Sequence, residues 1–169
     1  MTVDEVLEKV NHKIILLTGG EPLLQWEEAM MLLKSWKLEY THGSVQNEMV
    51  IETNGSVNLK YTPGGAMTPK VIMDVKTPSS GEVGKTDWDN FQYLTYFDEV
   101  KFVVASEEDL TYALQVIDMS IKDCKASIWV ISPVWPIDSE NAKRIVEAIK
   151  KSEHNLRIQV QLHKQLNIA

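Results

Sequence analysis

The sequence predicts an α/β domain built on parallel strands, and three observations carry that expectation. Apolar runs of strand length alternate with amphipathic helical stretches along the whole 169 residues, the rhythm of successive βα units. The runs are short and rich in valine and isoleucine, as strands covered by helices are. No low-complexity segment, linker or close internal repeat interrupts the rhythm, so residues 1–169 read as a single domain.

The elements follow in order. "TVDEVLEKV" reads as a short amphipathic helix, with Thr2 as N-cap and Val3, Val6, Leu7 and Val10 at helical spacing. "KIILLT" is a buried strand. "LLQWEEAMMLLKSWKLEY" is a helix whose apolar positions include Leu23, Leu24, Met30, Met31 and Leu33. "EMVIET" is the second strand and "KVIMDVK" the third, separated by the turn-rich "NGSVNLKYTPGGAMTP". "TDWDNFQYLTYF" has helical spacing, "EVKFVVA" is a strand, and "SEEDLTYALQVIDMS" is a helix capped by Ser106 with acids in its first turn. "ASIWVIS" is the fifth strand, "IDSENAKRIVEAIKK" the next helix, and "LRIQVQL" the sixth strand.

Bulk properties exclude some functions. A net charge of −7 without a basic run disfavours nonspecific binding to nucleic acid or to an anionic membrane. No stretch has the length and apolarity to span a bilayer, and no signal peptide opens the chain. The single cysteine, Cys124, rules out an intramolecular disulfide and fits a cytoplasmic protein. It also cannot form a cysteine-only metal site. No histidine pair has metal-ligand spacing, and neither the Walker A nor the dinucleotide glycine pattern occurs. His12 and His42 read as solvated loop residues, and His154 as a cation following a helix. Four of the tryptophans, Trp26, Trp36, Trp88 and Trp129, read as core or interface; Trp135, just past a strand end, stays open as a site residue.

In parallel α/β folds ligands collect outside the carboxyl ends of the strands. Those ends carry Thr18-Gly19-Gly20-Glu21, Glu52-Thr53-Asn54-Gly55, Asp74-Val75-Lys76 followed by "TPSSG", and Ser132-Pro133. Any one is explained by the ordinary polarity of strand-to-helix turns; four together predict a rim site. On the last strand, Arg157, Gln159, Gln161 and His163 alternate with Ile158, Val160 and Leu162. That pattern fits an edge strand, or a barrel strand whose polar face lines a cavity. Lys101, inside the fourth strand, is a similar anomaly, against which stands the plain reading of a strand-edge lysine.

"TGGEP" at 18–22 resembles the glycine-rich motif of radical S-adenosylmethionine (SAM) enzymes. With "IETNG" at 51–55, "DVKTPSSG" at 74–81, "VKFVV" at 100–104, "ISP" at 131–133 and "VQLHK" at 160–164, the chain resembles the 7-carboxy-7-deazaguanine synthases of queuosine biosynthesis over essentially its whole length. The resemblance implies a partial (β/α)6 barrel and a lyase that converts 6-carboxy-5,6,7,8-tetrahydropterin to 7-carboxy-7-deazaguanine and ammonia. It implies a [4Fe-4S] iron-sulfur cluster that cleaves SAM reductively, a 5′-deoxyadenosyl radical that abstracts a hydrogen atom, magnesium as support, and a homodimer.

The same resemblance assigns site residues. Gly19 and Gly20, with Glu21, match the segment that holds the methionine end of SAM; Glu52 and Asn54 offer an acceptor and an amide to the ribose or the amino group of SAM. Asp74, Val75 and Lys76, with Ser79 as support, match a second SAM segment, and Ser132, Pro133, Val134 and Trp135 a third, around the adenosine. Thr18 matches a substrate-contact position, and Gln161 and His163 are expected to line the pterin pocket. The family's cysteine motif, C-x3-C-x2-C or a variant of it, has no counterpart here. The expectation is therefore an N-terminally truncated barrel, lacking its first strand and cluster loop and inactive alone: a shortened product, a misassigned start, or one half of a split enzyme. Two other readings stand beside it. One is a non-catalytic module of this fold that binds SAM, a nucleoside or a partner. The other is an unrelated parallel α/β enzyme whose rim binds a phosphate or a sugar.

Overall fold

A computed structural model describes residues 2–10, 12–39, 48–62, 68–126 and 128–167. The expectation for His42 lies outside these residues. Six strands form one sheet in sequential order, β1 (Ile14–Leu17), β2 (Glu48–Thr53), β3 (Lys70–Val75), β4 (Glu99–Val104), β5 (Ile128–Pro133) and β6 (Leu156–Ile158). Every neighbouring pair is parallel. The helices are α1 (Val3–Leu7), α2 (Trp26–Glu39), α3 (Glu107–Ser120), α4 (Ser139–Lys151) and α5 (Leu162–Gln165). Among the described residues β1 pairs only with β2, and β6 only with β5, so the sheet is an open, partial barrel.

Alternation along the strands decides the architecture. On β2, β3 and β4 every second residue is buried, and the residues between are half-open, apart from exposed Glu48 and buried Glu99 at strand starts. Met49, Ile51, Val71, Met73, Val75, Val100, Phe102, Val104, Trp129 and Ile131 pack in one core with Leu33, Ala113, Ile117 and Ile145 from α2, α3 and α4. A sheet covered on both faces would bury both sets. Here helices cover one face, and the other carries Glu52, Ile72, Asp74, Lys101 and Val103 in half-open positions. Near the strand starts the open face is tied by Glu99, whose Oε1 lies 2.7 Å from Lys70 Nζ and 3.7 Å from Arg157 Nη1.

The helix caps follow the sequence. Thr2 and Ser106 each form a reciprocal capping box, with Glu5 and Asp109 respectively. Asp138 caps α4 by accepting from Asn141 N–H at 2.8 Å.

Several expected boundaries change. The first helix is confined to Val3–Leu7, and the stretch from Pro22 to Gln25 is a 3₁₀ turn that leads into α2. Residues 86–97, expected as a helix, form only the 3₁₀ segment Trp88–Gln92 followed by turns. In a 3₁₀ helix side chains three apart eclipse, and Trp88 duly stacks on Phe91 with ring centroids 5.7 Å apart. Buried Asn90 fixes this segment: its Nδ2 donates to the carbonyls of Gly55 and Val57, and its Oδ1 accepts from Leu59 N–H at 2.7 Å.

The sixth strand also stops early. It ends at Ile158, although Gln159 N–H still donates to Ile131 O at 3.1 Å. Gln161 is the N-cap residue of α5, and His163 lies within that helix. The two therefore do not continue a polar face of the strand. The Gln161 carbonyl accepts from Lys164 and Gln165 N–H, so local hydrogen bonds replace the ladder. His154, read from the sequence as a cation following a helix, lies with Nε2 2.7 Å from Asp118 Oδ1.

Candidate functional site

The four polar strand ends lie on one rim, as parallel strands require. Gly19 and Gly20 adopt φ of +91° and +57°, the left-handed region where glycine meets no side-chain penalty. A Cβ built on either would meet no heavy atom within 4 Å, so the space before this loop is open.

Glu21 turns inward. Its Oε1 accepts from Leu23 N–H at 3.0 Å, its Oε2 from Asn54 N–H at 2.8 Å, and both lie 2.9 Å from the hydroxyl of buried Thr53. One carboxylate thus ties the end of β1 to the end of β2 and holds the glycine loop between them. Its position is that of a brace for the loop. Glu52 accepts from the Thr18 hydroxyl at 3.1 Å, and Asn54 Oδ1 accepts from Ser56 N–H at 2.8 Å.

The third segment has its own brace. Asp109 on α3 is fully buried and accepts from Ser79 N–H at 2.8 Å, Ala105 N–H at 2.8 Å and Ser106 N–H at 3.2 Å. Burial pushes its carboxyl pKa up, but the hydrogen bonds from Ser79, Ala105 and Ser106 outweigh burial and hold it below the ordinary value. The Thr77 hydroxyl donates to Val103 O at 2.7 Å. Asn141 Nδ2 donates to Val104 O at 3.1 Å, fixing the end of β4 against α4.

Two adjoining cavities result. The outer one, about 230 Å³, is lined by Asp74, Val75, Lys76, Thr77, Ser79, Ser80, Val103, Ala105 and Val134. The inner one, about 100 Å³, is lined by Thr18, Gly20, Glu52, Thr53, Asn54, Ile72, Asp74, Lys76 and Lys101. They share Asp74 and Lys76, which form an ion pair through Oδ2 and Nζ at 2.7 Å. The other Asp74 oxygen, Oδ1, is buried and has no hydrogen-bond partner among the described residues. Val75 is itself fully buried toward the helices, so only its backbone is offered to a ligand. Ser132 and Pro133 are buried within β5, whereas Val134 and Trp135 emerge at 38% and 40% exposure.

Comparison with known proteins decides the family. The "7-carboxy-7-deazaguanine synthase" of Clostridium acetobutylicum is 36% identical over 168 residues, covering 97% of this chain and 72% of that protein. That of Methanospirillum hungatei is 37% identical over 177 residues, covering 99% of this chain and 66% of that protein. This chain belongs to the 7-carboxy-7-deazaguanine synthase family. No protein-family model matches it. Among solved structures, Streptococcus suis SuiB bound to S-adenosylmethionine superposes with a TM-score of 0.58 at 11% identity. That match covers 95% of this chain and 44% of SuiB, and shows the shared fold.

Of the residues singled out in the sequence of this family member, Thr18, Gly20, Glu52, Asn54, Asp74, Val75, Lys76, Ser79 and Val134 line the two cavities. Gly19 and Glu21 shape the loop, Ser132, Pro133 and Trp135 lie along and just beyond β5, Gln161 is the N-cap residue of α5 and His163 lies within it. Sequence reading missed Asp109 and Asn90, which brace the rim from outside the motifs. Asp109 carried one signal, its place three residues after the Ser106 cap.

Cys124, the single cysteine, is buried in the connection from α3 to β5, beside the amino ends of the strands and away from the rim. Burial pushes its thiol pKa up; the Ala126 N–H lowers it and the nearby Asp98 raises it further. Among the described residues no group of three or more His, Cys, Asp or Glu could hold a metal ion. These residues do not fit an iron-sulfur cluster. Among the described residues no helix is long and apolar enough to cross a membrane.

Proposed function

We propose that this chain carries the SAM- and substrate-binding rim of a radical SAM 7-carboxy-7-deazaguanine synthase. The reaction served is conversion of 6-carboxy-5,6,7,8-tetrahydropterin to 7-carboxy-7-deazaguanine and ammonia. The observation that carries this reading is the pair of joined cavities at the strand carboxyl ends, opening in front of Gly20 and sharing Asp74 and Lys76. Bound SAM supplies the radical chemistry from which the family takes its class.

Each segment has a defined task. The glycine loop presents bare backbone to the amino-acid end of SAM, because any side chain there would enter the open space. Asp74 Oδ1, buried and unpartnered, accepts from a ligand N–H or O–H, while Lys76 keeps the other oxygen engaged and holds the carboxylate in place. Ser79, fixed by Asp109, and Val134, at the end of β5, form the wall for the adenosine end. Thr18 and Glu52, hydrogen-bonded to each other, offer polar contacts to the substrate in the inner cavity. The chain's own residues bind, orient and enclose. With one buried cysteine they offer no cluster ligands, so no redox step is assigned to them.

Titration of the chain with SAM and with 5′-deoxyadenosine, by calorimetry or ligand-observed NMR, tests the reading. Weak, saturable binding is expected for both. Gly20→Val should abolish it, because the side chain fills the ligand's space and valine is strained at a φ of +57°. A thermal melt confirms that the variant folds. A folded variant that binds SAM as well as the parent would place the site elsewhere.

A further inference from the structure

Lys101 is the one cation of the inner cavity that the SAM segments do not account for. It sits mid-strand on β4, on the half-open face, directly across the β3–β4 ladder from Asp74. Proximity in the ladder would favour an Asp74–Lys101 pair. The structure shows otherwise: Asp74 Oδ2 goes to Lys76, and Asp74 Oδ1 stays unpartnered. Among the described residues Lys101 makes no ion pair and no side-chain hydrogen bond. It lines the inner cavity and not the outer one, whose walls are the Asp74–Lys76 segment, Ser79 and Val134.

A half-buried ammonium without a partner is held at a cost that a bound anion removes. Around it the inner cavity supplies what a heterocyclic acid needs. Ile72 offers an apolar surface, and the Glu52 carboxylate accepts from ring N–H groups. Glu52 and Asp74 balance Lys76 and Lys101, so the cavity is neutral in sum yet sharply patterned. A neutral heterocycle satisfies the acceptors and leaves Lys101 unmet. An acid satisfies both.

We propose that Lys101 is a specificity-determining residue of this site, the anchor for the carboxylate of a pterin-type acid substrate, an inference that rests on the deazaguanine-synthase reading. A cavity of about 100 Å³ takes the carboxyl-bearing end of such a ligand, with the rest extending toward the outer cavity.

The experiment titrates the full chain with 6-carboxypterin, a stable aromatic acid, with pterin, which lacks the carboxylate, and with SAM. The parent is compared with Lys101→Met, Lys101→Gln and Lys101→Arg, each checked by thermal melt; if the methionine variant fails to fold, the glutamine variant supplies the neutral case. The parent should prefer the acid over pterin by about tenfold or more, the scale of a charge-assisted contact. The neutral variants should reduce that preference to within about threefold, and Lys101→Arg should keep most of it. SAM affinity should stay within about twofold throughout, since Lys101 does not line the outer cavity and the Gly20 contact to SAM is made by backbone.

A preference that survives in both neutral variants overturns the proposal. So does a loss that falls on SAM instead of the acid, which would assign Lys101 to the carboxylate of SAM itself. A parent that binds SAM but does not distinguish the two pterins overturns the role of Lys101 and leaves SAM binding at the rim standing. A parent that binds none of the three overturns both.

Discussion

Replacing Glu21 by alanine removes the carboxylate that joins two strand ends. Three donors lose their acceptor at once: Leu23 N–H, Asn54 N–H and the hydroxyl of Thr53, which is 2% exposed. Hydrogen bonds to a charged group contribute about 1.5–3 kcal/mol each, and they are not additive when they share one acceptor. Leu23 and Thr53 are both 2% exposed and regain little water, whereas the N–H of half-buried Asn54 can turn to solvent. We therefore expect a loss of about 3 kcal/mol. For a domain of this size that lowers Tm by about 6–12 °C. Glu21→Gln keeps one acceptor oxygen but sets an NH2 against an N–H or hydroxyl donor, so about half that loss is expected. Urea denaturation and thermal melting measure both variants. SAM titration in each variant gives the second readout: with its brace gone, the Gly19–Gly20 loop samples other conformations, and binding weakens while the chain is still folded. A Glu21→Ala protein that melts with the parent and binds SAM equally would refute the role given to this carboxylate.

Two further outcomes follow from the same structure. Asp109→Asn should destabilise the fold by about 2 kcal/mol, because the amide can accept at only one end while three backbone N–H groups converge on the side chain. Since the native carboxyl pKa lies below its ordinary value, its contribution is full at neutral pH and declines as pH falls below the ordinary carboxylate range; urea titrations at pH 7 and at acid pH should show the parent–variant gap narrowing. The chain purified alone and reconstituted with iron and sulfide should hold no stable [4Fe-4S] cluster, because its single thiol is buried and disfavoured as thiolate. A stoichiometric electron paramagnetic resonance signal after reduction would contradict that.

The rim was legible in the sequence because its signals are local. Two adjacent glycines after an apolar run require an unusual backbone, and the structure gives both of them positive φ. Polar residues at the ends of valine- and isoleucine-rich strands must meet at one rim once the strands are parallel. The braces were less legible because they act across the chain: Glu21 reaches Asn54, and Asp109 reaches Ser79, over separations that periodicity does not encode.

Residues 86–97 misled for a related reason. Their aromatic spacing suits a helix, but Phe91 also stacks toward Trp129, with centroids 6.1 Å apart, and Asn90 is captured by the loop that follows Asn54. Tertiary partners thus shortened the helix to a 3₁₀ segment. At β6 the alternation of Arg157, Ile158, Gln159 and Val160 continues past the point where hydrogen bonding does. From Gln161 onward short-range helical bonds win over the ladder.

The most direct test of the central claim, that the carboxyl rim of this sheet is a SAM site, is a crystal structure of the chain with SAM bound. The account predicts that the amino-acid end lies against the backbone of Gly19 and Gly20, with an N–H or O–H of the ligand on Asp74 Oδ1. The adenosine end should lie along Ser79 and Val134, toward Trp135. SAM found instead at the amino ends of the strands, or between α1 and α2 with the rim empty, would contradict it.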